Sequence, residues 1–225
     1  MTVSVVIPAY NEAEHLEECL RSLQNQLVPP DEIILVDNNS TDKTVEIARR
    51  YGLKILHEKK QGVIFTRNLG FNHAKYDLIA RTDADCVLPP EWIKKIKEDF
   101  TKNKIDAVAG PWYFQDIPIP HLSAVKLAFF LAKIAHKHEI VSGPNMAITR
   151  KIWLKIKNDV CLDLTQVYDD IDISIHVHRV GGIIWYDNQL VVKTSGRRVK
   201  RGPIKALVEY LSLVNKGLQT HKVTN

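Results

Sequence analysis

Cysteine is scarce in this sequence, and no apolar stretch is long enough to cross a membrane. The 225 residues include three cysteines, Cys19, Cys86 and Cys161. An odd number of widely separated cysteines argues against a disulfide framework and against a cysteine-based metal site. The most apolar helical segment, 122–135, has 14 residues and two lysines, whereas a membrane-spanning helix needs about 20 apolar residues. The basic region and apolar core of a signal peptide are also missing from the start of the sequence. We therefore expect a cytoplasmic protein.

Internal repeats, low-complexity tracts and Gly/Ser-rich linkers are absent as well. A chain of 225 residues with 45% hydrophobic content can bury a full core as one unit. The sequence therefore predicts a single domain over 1–225. The formal net charge of +5 is modest. It permits anionic partners without identifying one, and we expect no nucleic-acid partner.

Short apolar runs alternate with helical patterns in the first half of the chain. A run that is apolar throughout is typical of a strand buried on both faces. Alternating strands and helices predict an α/β fold with a parallel, doubly wound sheet. The predicted strands are 3–7, 33–36, 53–56, 78–80 and 107–109, and helices 64–74 and 91–100 flank the fourth of them. The second half is less regular, which predicts a nucleotide-binding half over about 1–110 and an acceptor half over 111–225.

Two aspartates, Asp83 and Asp85, come directly after the predicted strand 78–80. Residues two apart in an extended segment point the same way, so both carboxylates can converge on one small volume. Open α/β sheets bind ligands at the carboxyl ends of their strands. Mg²⁺ and similar hard cations prefer oxygen ligands, often one or two carboxylates completed by substrate phosphates. An isolated Asp-x-Asp is more often a surface turn, but this position favours a metal and phosphate site.

Other strand ends also carry polar groups that a nucleotide site needs. The segment 8–12 follows the first strand, and Asp37 ends the second, where it could accept a hydrogen bond from a base or ribose. Gly62 precedes a helix, and Arg67 and Asn68 lie within it, where a cation could face a pyrophosphate. Taken singly, these residues are ordinary caps, turn formers and loop residues. Their joint occurrence in this order favours a nucleotide site.

A second acidic cluster, Asp169, Asp170 and Asp172, opens a predicted helix in the second half. Acidic residues in the first turn of a helix stabilise it through the helix dipole. Three carboxylates in four residues exceed that need, so the cluster favours a functional role.

Six segments together resemble family 2 glycosyltransferases, and they extend over nearly the whole chain. They are VVIPAYNE (5–12), VDNNSTDKT (36–44), RNLG (67–70), TDAD (82–85), GPNMA (143–147) and DDID (169–172). The resemblance implies a GT-A fold, with a Rossmann-like, mostly parallel sheet flanked by helices. It also implies transfer of a sugar from a nucleoside diphosphate, such as a UDP- or GDP-sugar, with inversion at the anomeric carbon.

The resemblance also implies roles for individual residues. Asp37 would bind the base, Asp83 the ribose or metal, and Asp85 the metal, either Mg²⁺ or Mn²⁺. Asp170 would be the catalytic base. Further donor-binding residues would be Pro8, Ala9, Tyr10, Glu12, Gly62, Arg67, Asn68, Ala84, Arg197 and Arg198, and acceptor-binding residues would be Gly143, Asn145 and Asp169. The acceptor would be a glycan or a lipid-linked molecule.

Two features depart from the family pattern. Many relatives carry a histidine metal ligand after the base helix, but the comparable segment 191–198 has none. Metal coordination would then be weaker, with Arg197 or Arg198 neutralising the departing phosphates. The Gln-x-x-Arg-Trp signature of processive synthases is also missing, which favours transfer of one sugar per binding event.

Two other functions and one other location stay open. A sugar-phosphate nucleotidyltransferase would have a Gly-rich loop after the first strand, but 8–12 contains no glycine. A catalytically silent nucleotide-sugar-binding module would have lost the base, but Asp170 is present. The basic segment 197–201 and the apolar, lysine-bearing helices 122–138 and 203–218 are compatible with peripheral contact at the inner face of the membrane. They are also compatible with core-facing helices that have a solvated basic side.

Overall fold

The computed structural model describes residues 1–117, 122–163, 168–197 and 200, without the side chains of 122–124 and 128. Predicted site residue Arg198 and the predicted helix 203–218 lie outside these residues. The strands are β1 Val3–Ala9, β2 Glu32–Asp37, β3 Lys54–His57, β4 Leu78–Arg81, β5 Cys86–Val87, β6 Ala107–Ala109, β7 Trp112–Phe114, β8 Met146–Thr149, β9 Ile184–Tyr186 and β10 Val192–Thr194. The helices are α1 Leu16–Gln24, α2 Thr44–Arg50, α3 Val63–His73, α4 Trp92–Lys102, α5 Leu122–His136, α6 Arg150–Ile156 and α7 Asp169–Arg179.

Within the described residues, the main sheet has seven strands in the order β3-β2-β1-β4-β8-β6-β9. Strands β1, β2, β3 and β4 pair in parallel, as do β6 and β9. Strand β8 runs antiparallel to both of its neighbours, β4 and β6. The predicted mostly parallel α/β sheet is therefore confirmed, and the ends of β1, β2 and β4 meet at one edge.

Helices cover both faces of this sheet because successive side chains of its central strands point to opposite faces. Val5 and Ile7 of β1 pack with α1 and α4, including the fully buried Trp92. Val6 packs on the other face, where α3, α6 and α7 contribute residues such as Phe71. This two-sided burial explains why β1 reads as a continuous apolar run.

A second sheet has the strand order β5-β10-β7, and its strand β5 follows β4 closely along the chain. Strand β10 pairs antiparallel with β5 and parallel with β7. This pairing brings the segment around residue 194 beside the Asp-x-Asp turn between β4 and β5. Among the helices described, none combines the length and apolar character needed to cross a bilayer.

Candidate active site

The carboxyl edge of the main sheet carries the donor-side residues that the sequence predicted. Tyr10 follows β1 and is half exposed, while Pro8 and Ala9 belong to the strand itself. Asp37 ends β2 and is buried; its carboxylate accepts a hydrogen bond from the Ser40 amide (3.2 Å) and lies 3.2 Å from the Nδ1 atom of His57. The edge is therefore lined by groups from several strands, as expected of a ligand site in an open sheet.

Backbone conformation and side-chain amides hold the loops at this edge together. Gly62 has φ of +137°, which favours glycine, and its N–H donates to the Asn38 side chain at 2.8 Å. The Asn38 amide nitrogen in turn donates to the carbonyls of Glu58 and Lys60, both at 2.9 Å. The β3–α3 loop is thus fixed to the end of β2, so the position of Gly62 is set before any ligand arrives.

The Asp85 carboxylate lies between a cation and a hydroxyl. Arg197 Nη2 is 3.5 Å from one of its oxygens, and the Thr194 hydroxyl donates to the other at 3.2 Å. Arg197 also forms an ion pair with Glu12. Burial, and then the nearby Asp83 carboxylate, raise the pKa of Asp85 to about 6. A carboxylate in such surroundings gains from a further positive charge, which agrees with a cation site.

The donor set around Asp83 and Asp85 suits a hard divalent cation. Both side chains offer carboxylate oxygens, which Mg²⁺ and Mn²⁺ prefer, and one buried oxygen of Glu12 has no hydrogen-bond partner within the described part of the chain. No group of three or more acidic, histidine or cysteine side chains among the described residues could hold a metal alone. An ion here would therefore take its remaining ligands from substrate phosphates or water.

Two buried arginines connect the donor side to the acidic helix α7. Arg81, the last residue of β4, forms ion pairs with Asp83 (3.1 Å) and with Asp169. Arg67 of α3 is fully buried; its guanidinium donates to the Asp169 carbonyl at 2.6 Å and lies 3.5 Å from the Asp169 carboxylate. Arg67 is thus a buried partner of Asp169 and has no exposed surface for the predicted contact with a pyrophosphate. Asn68 accepts a hydrogen bond from it at 2.9 Å.

Asp169 and Asp170 are adjacent but have opposite electrostatic environments. Burial would raise the pKa of Asp169, but Arg81 and Arg67 hold it below its usual range. Burial and the Asp169 charge instead raise the pKa of Asp170. Asp170 is half-buried and accepts a hydrogen bond from the Gly143 amide at 3.2 Å. Such a divergence separates a structural carboxylate from one able to take up a proton.

Gly143 is close both to Asp170 and to the Arg81 guanidinium. A Cβ atom added at this position would lie 2.7 Å from Nη2 of Arg81. The Arg81 guanidinium therefore packs against a residue whose own amide binds Asp170. A short chain of contacts thus runs from Asp83 through Arg81 and Gly143 to Asp170, and it joins the two halves of the predicted site.

The side chains of three other predicted site residues are buried. Asn145 is fully buried: its amide group donates to the carbonyls of Pro111 (3.2 Å) and Leu190 (2.6 Å) and accepts from the Trp92 indole (2.9 Å). The Asn145 side chain is therefore already engaged by the protein and has no group left for the predicted contact with the acceptor. Asp169 and Ala84 are also buried, so neither side chain has the free surface that a predicted ligand contact needs.

Sequence reasoning missed the roles of Arg81 and Thr194. The one available signal for Arg81 was a charged residue at the end of an otherwise apolar strand. A buried charge needs a partner, and that partner, Asp169, is 88 residues away. Thr194 had no signal, because its position depends on the pairing of β10 with β5.

Comparison with known sequences identifies relatives. The sequence model described as Glycosyl transferase family 2 matches residues 4–156. Glycosyltransferase AglE of Haloferax volcanii is 36% identical over 116 residues, which cover 48% of this chain and 38% of that protein. Dolichol-phosphate mannosyltransferase of Pyrococcus furiosus is 38% identical over 119 residues, covering 50% of this chain and 34% of that protein. The chain spans less than half the length of the curated relatives it matches.

Solved structures show the same fold. Mannosyltransferase PcManGT from Pyrobaculum calidifontis, in complex with GDP-Man and Mn²⁺, has a TM-score of 0.77 at 22% identity, covering 99% of this chain and 64% of that one. Glucosyl-3-phosphoglycerate synthase from Mycobacterium tuberculosis, in complex with Mn²⁺, UDP and phosphoglyceric acid, has a TM-score of 0.67 at 18% identity, covering 96% and 78%. These likenesses confirm the GT-A fold.

Proposed function

Because this chain belongs to glycosyl transferase family 2, we propose that it moves one sugar from a nucleoside-diphosphate sugar to an acceptor hydroxyl with inversion. The observation that carries the proposal is the contact chain Asp83–Arg81–Gly143–Asp170. Through Arg81 and Gly143 it links Asp83, which would contact the cation or the donor, to Asp170, which would be the base. The nucleotide-binding half would be about 1–110 and the acceptor half 111–225.

On the donor side, Asp83 and Asp85 would hold Mg²⁺ or Mn²⁺ against the pyrophosphate, with Asp37 on the nucleoside. The bound ion would supply Lewis-acid stabilisation of the departing nucleoside diphosphate. Arg197 adds a positive charge at the same place, since it lies 3.5 Å from Asp85. The complexes of the two structural relatives, with GDP-Man or UDP and Mn²⁺, support a nucleotide donor and a divalent ion.

On the acceptor side, Asp170 would be the general base. Its carboxylate takes the proton of the acceptor hydroxyl as the new C–O bond forms, and the nucleoside diphosphate leaves with the electron pair of the broken bond. The raised pKa of Asp170, caused by burial and by Asp169, makes it a better proton acceptor than an ordinary carboxylate. Asp169 would position Asp170 and would not contact substrate.

The acceptor would be a glycan or a lipid-linked molecule. One relative is named a dolichol-phosphate mannosyltransferase and another, from Pasteurella multocida, is named a chondroitin synthase. These names support the two acceptor classes without choosing between them.

The experiment is a panel of UDP- and GDP-sugars incubated with the protein and Mn²⁺, with release of free nucleoside diphosphate and the thermal shift both recorded. A donor should raise the melting temperature, because it binds the native state alone, and should be turned over when an acceptor is present. Asp170→Asn is the matched control, which should keep the thermal shift and lose release. A thermal shift without release from the wild type would instead identify a silent binding module. A product with retained anomeric configuration would exclude single displacement.

A further inference from the structure

Helix α5 presents a continuous apolar stripe to solvent. Leu127, Phe130, Leu131 and Ile134 are 56%, 58%, 55% and 60% exposed. Their spacing of three, four and seven residues places them within an arc of about 100° on the helix surface. Isolated exposed apolar residues are common, but four large ones in one stripe indicate a surface that something covers.

The stripe is not the face by which α5 attaches to the protein. Phe129, Ala132 and His136 lie on the opposite side of the helix and are buried. The Phe129 ring packs 4.8 Å, centroid to centroid, from Tyr186 at the end of β9. Because the inner face already anchors the helix, the outer stripe is available for another contact.

The charges beside the stripe favour a lipid surface over a protein partner. Helix α5 contains no aspartate or glutamate, and Lys126 and Lys133 lie together on one flank of the stripe. Lysine is depleted in protein–protein interfaces, whereas at a membrane its stem lies along the apolar region while its ammonium group reaches the headgroups. Lys133 also forms an ion pair with Glu139, which follows the end of α5. The helix itself therefore contributes lysines and no carboxylates to this flank.

We propose that the outer face of α5 binds an anionic lipid surface. The link between this surface and catalysis rests on the proposed function. After α5 the chain continues to Gly143, whose amide donates a hydrogen bond to Asp170, the proposed base. A bilayer against α5 would place lipid-borne hydroxyl acceptors near the end of the helix that leads to the base. The acceptor class would then be lipid-linked.

The experiment measures sedimentation of the full chain with vesicles of phosphatidylcholine alone or with phosphatidylglycerol added, in the absence of nucleotide. The test variant is Phe130→Ser with Ile134→Ser. The matched control is Leu27→Ser with Leu154→Ser, which removes two apolar side chains that are 67% and 45% exposed elsewhere. The test variant should bind anionic vesicles roughly 100-fold more weakly, and the control should bind like the wild type. Added Lys126→Gln should reduce the dependence on phosphatidylglycerol and on salt.

Other results would overturn the proposal. A lipid surface would be excluded as the partner if the two double variants bound vesicles equally well, or if the wild type bound none. A dimer in sedimentation velocity that only the test variant dissociates would assign the stripe to a second copy of the chain. A melting temperature lowered only in the test variant would assign it to internal packing. Donor turnover in solution tests the proposed function separately, because none of these side chains belongs to the site.

Discussion

Replacing each of the two adjacent aspartates by asparagine should separate catalysis from stability. Asp170→Asn removes the proton acceptor but keeps an oxygen that can accept the Gly143 amide bond. Asp169→Asn instead removes the charge that faces two buried guanidinium groups, Arg67 and Arg81. The first variant should therefore lose turnover with little change in stability, and the second should lose stability.

The expected magnitudes follow from these surroundings. Loss of a general base lowers turnover by about 10²–10⁴. A half-buried carboxyl whose charge is disfavoured contributes little, so Asp170→Asn should change the free energy of unfolding by under about 1 kcal/mol. Breaking a buried ion pair costs about 3–5 kcal/mol, which for a chain of this size lowers the melting temperature of Asp169→Asn by roughly 6–20 °C.

This prediction is checked by thermal melts of both variants and by nucleoside diphosphate release from the wild type and Asp170→Asn. The wild-type rate should also fall with decreasing pH, and at a higher pH than an ordinary carboxyl with a pKa of about 4 would give, because burial and Asp169 raise the pKa of Asp170. Near-normal turnover in Asp170→Asn, or equal destabilisation of the two variants, would refute the assignment of base and anchor.

Three further predictions concern the metal, a buried histidine and a glycine. Asp85→Asn should abolish the Mn²⁺-dependent part of the donor thermal shift, and donor binding by the wild type that EDTA leaves unchanged would contradict this. His136 is buried with both ring nitrogens unpartnered among the described residues, and burial and then His138 lower its pKa to about 4. Because its unfolded pKa is higher, about 6.5, native stability should fall by up to about 3 kcal/mol as the pH drops through that window. In His136→Leu, the free energy of unfolding measured in urea should differ less between pH 7 and pH 5 than it does in the wild type. Gly143→Ala should lower turnover more than donor affinity in steady-state kinetics, because the new Cβ would displace the Arg81 guanidinium.

The sheet and the Asp-x-Asp turn could be predicted because both have local signals. Strand β1 is apolar throughout since it is buried on both faces, and the turn follows a strand, where ligand sites form. The predicted strand 53–56 is shifted by one residue from β3, because apolar runs mark the centre of a strand better than its ends.

The arrangement around Asp169 could not be predicted, because it depends on contacts between distant parts of the chain. Arg67 and Asp169 are 102 residues apart in sequence. From sequence, an arginine in a helix after a glycine is equally compatible with binding a phosphate or pairing with a buried carboxylate. The same holds for Asn145: its residue type suits ligand binding, but its three buried partners come from helix α4 and from two loops distant in sequence.

The reversed direction of β8 makes segment length a constraint on residues 143–149, in addition to the identity of Gly143 and Asn145. Met146 pairs with Arg81 on one side and with Ala109 on the other. Since β8 enters the sheet at the edge that carries the candidate site, the number of residues between Gly143 and this pairing sets where the Gly143 amide meets Asp170. Loss of one residue there would move the amide by about 3.3 Å if the β8 pairing is kept, or would shift the register and turn the β8 side chains to the opposite face if the amide stays in place. We therefore expect nucleoside diphosphate release to survive substitutions on β8 that keep side-chain size, and to be lost on a single deletion.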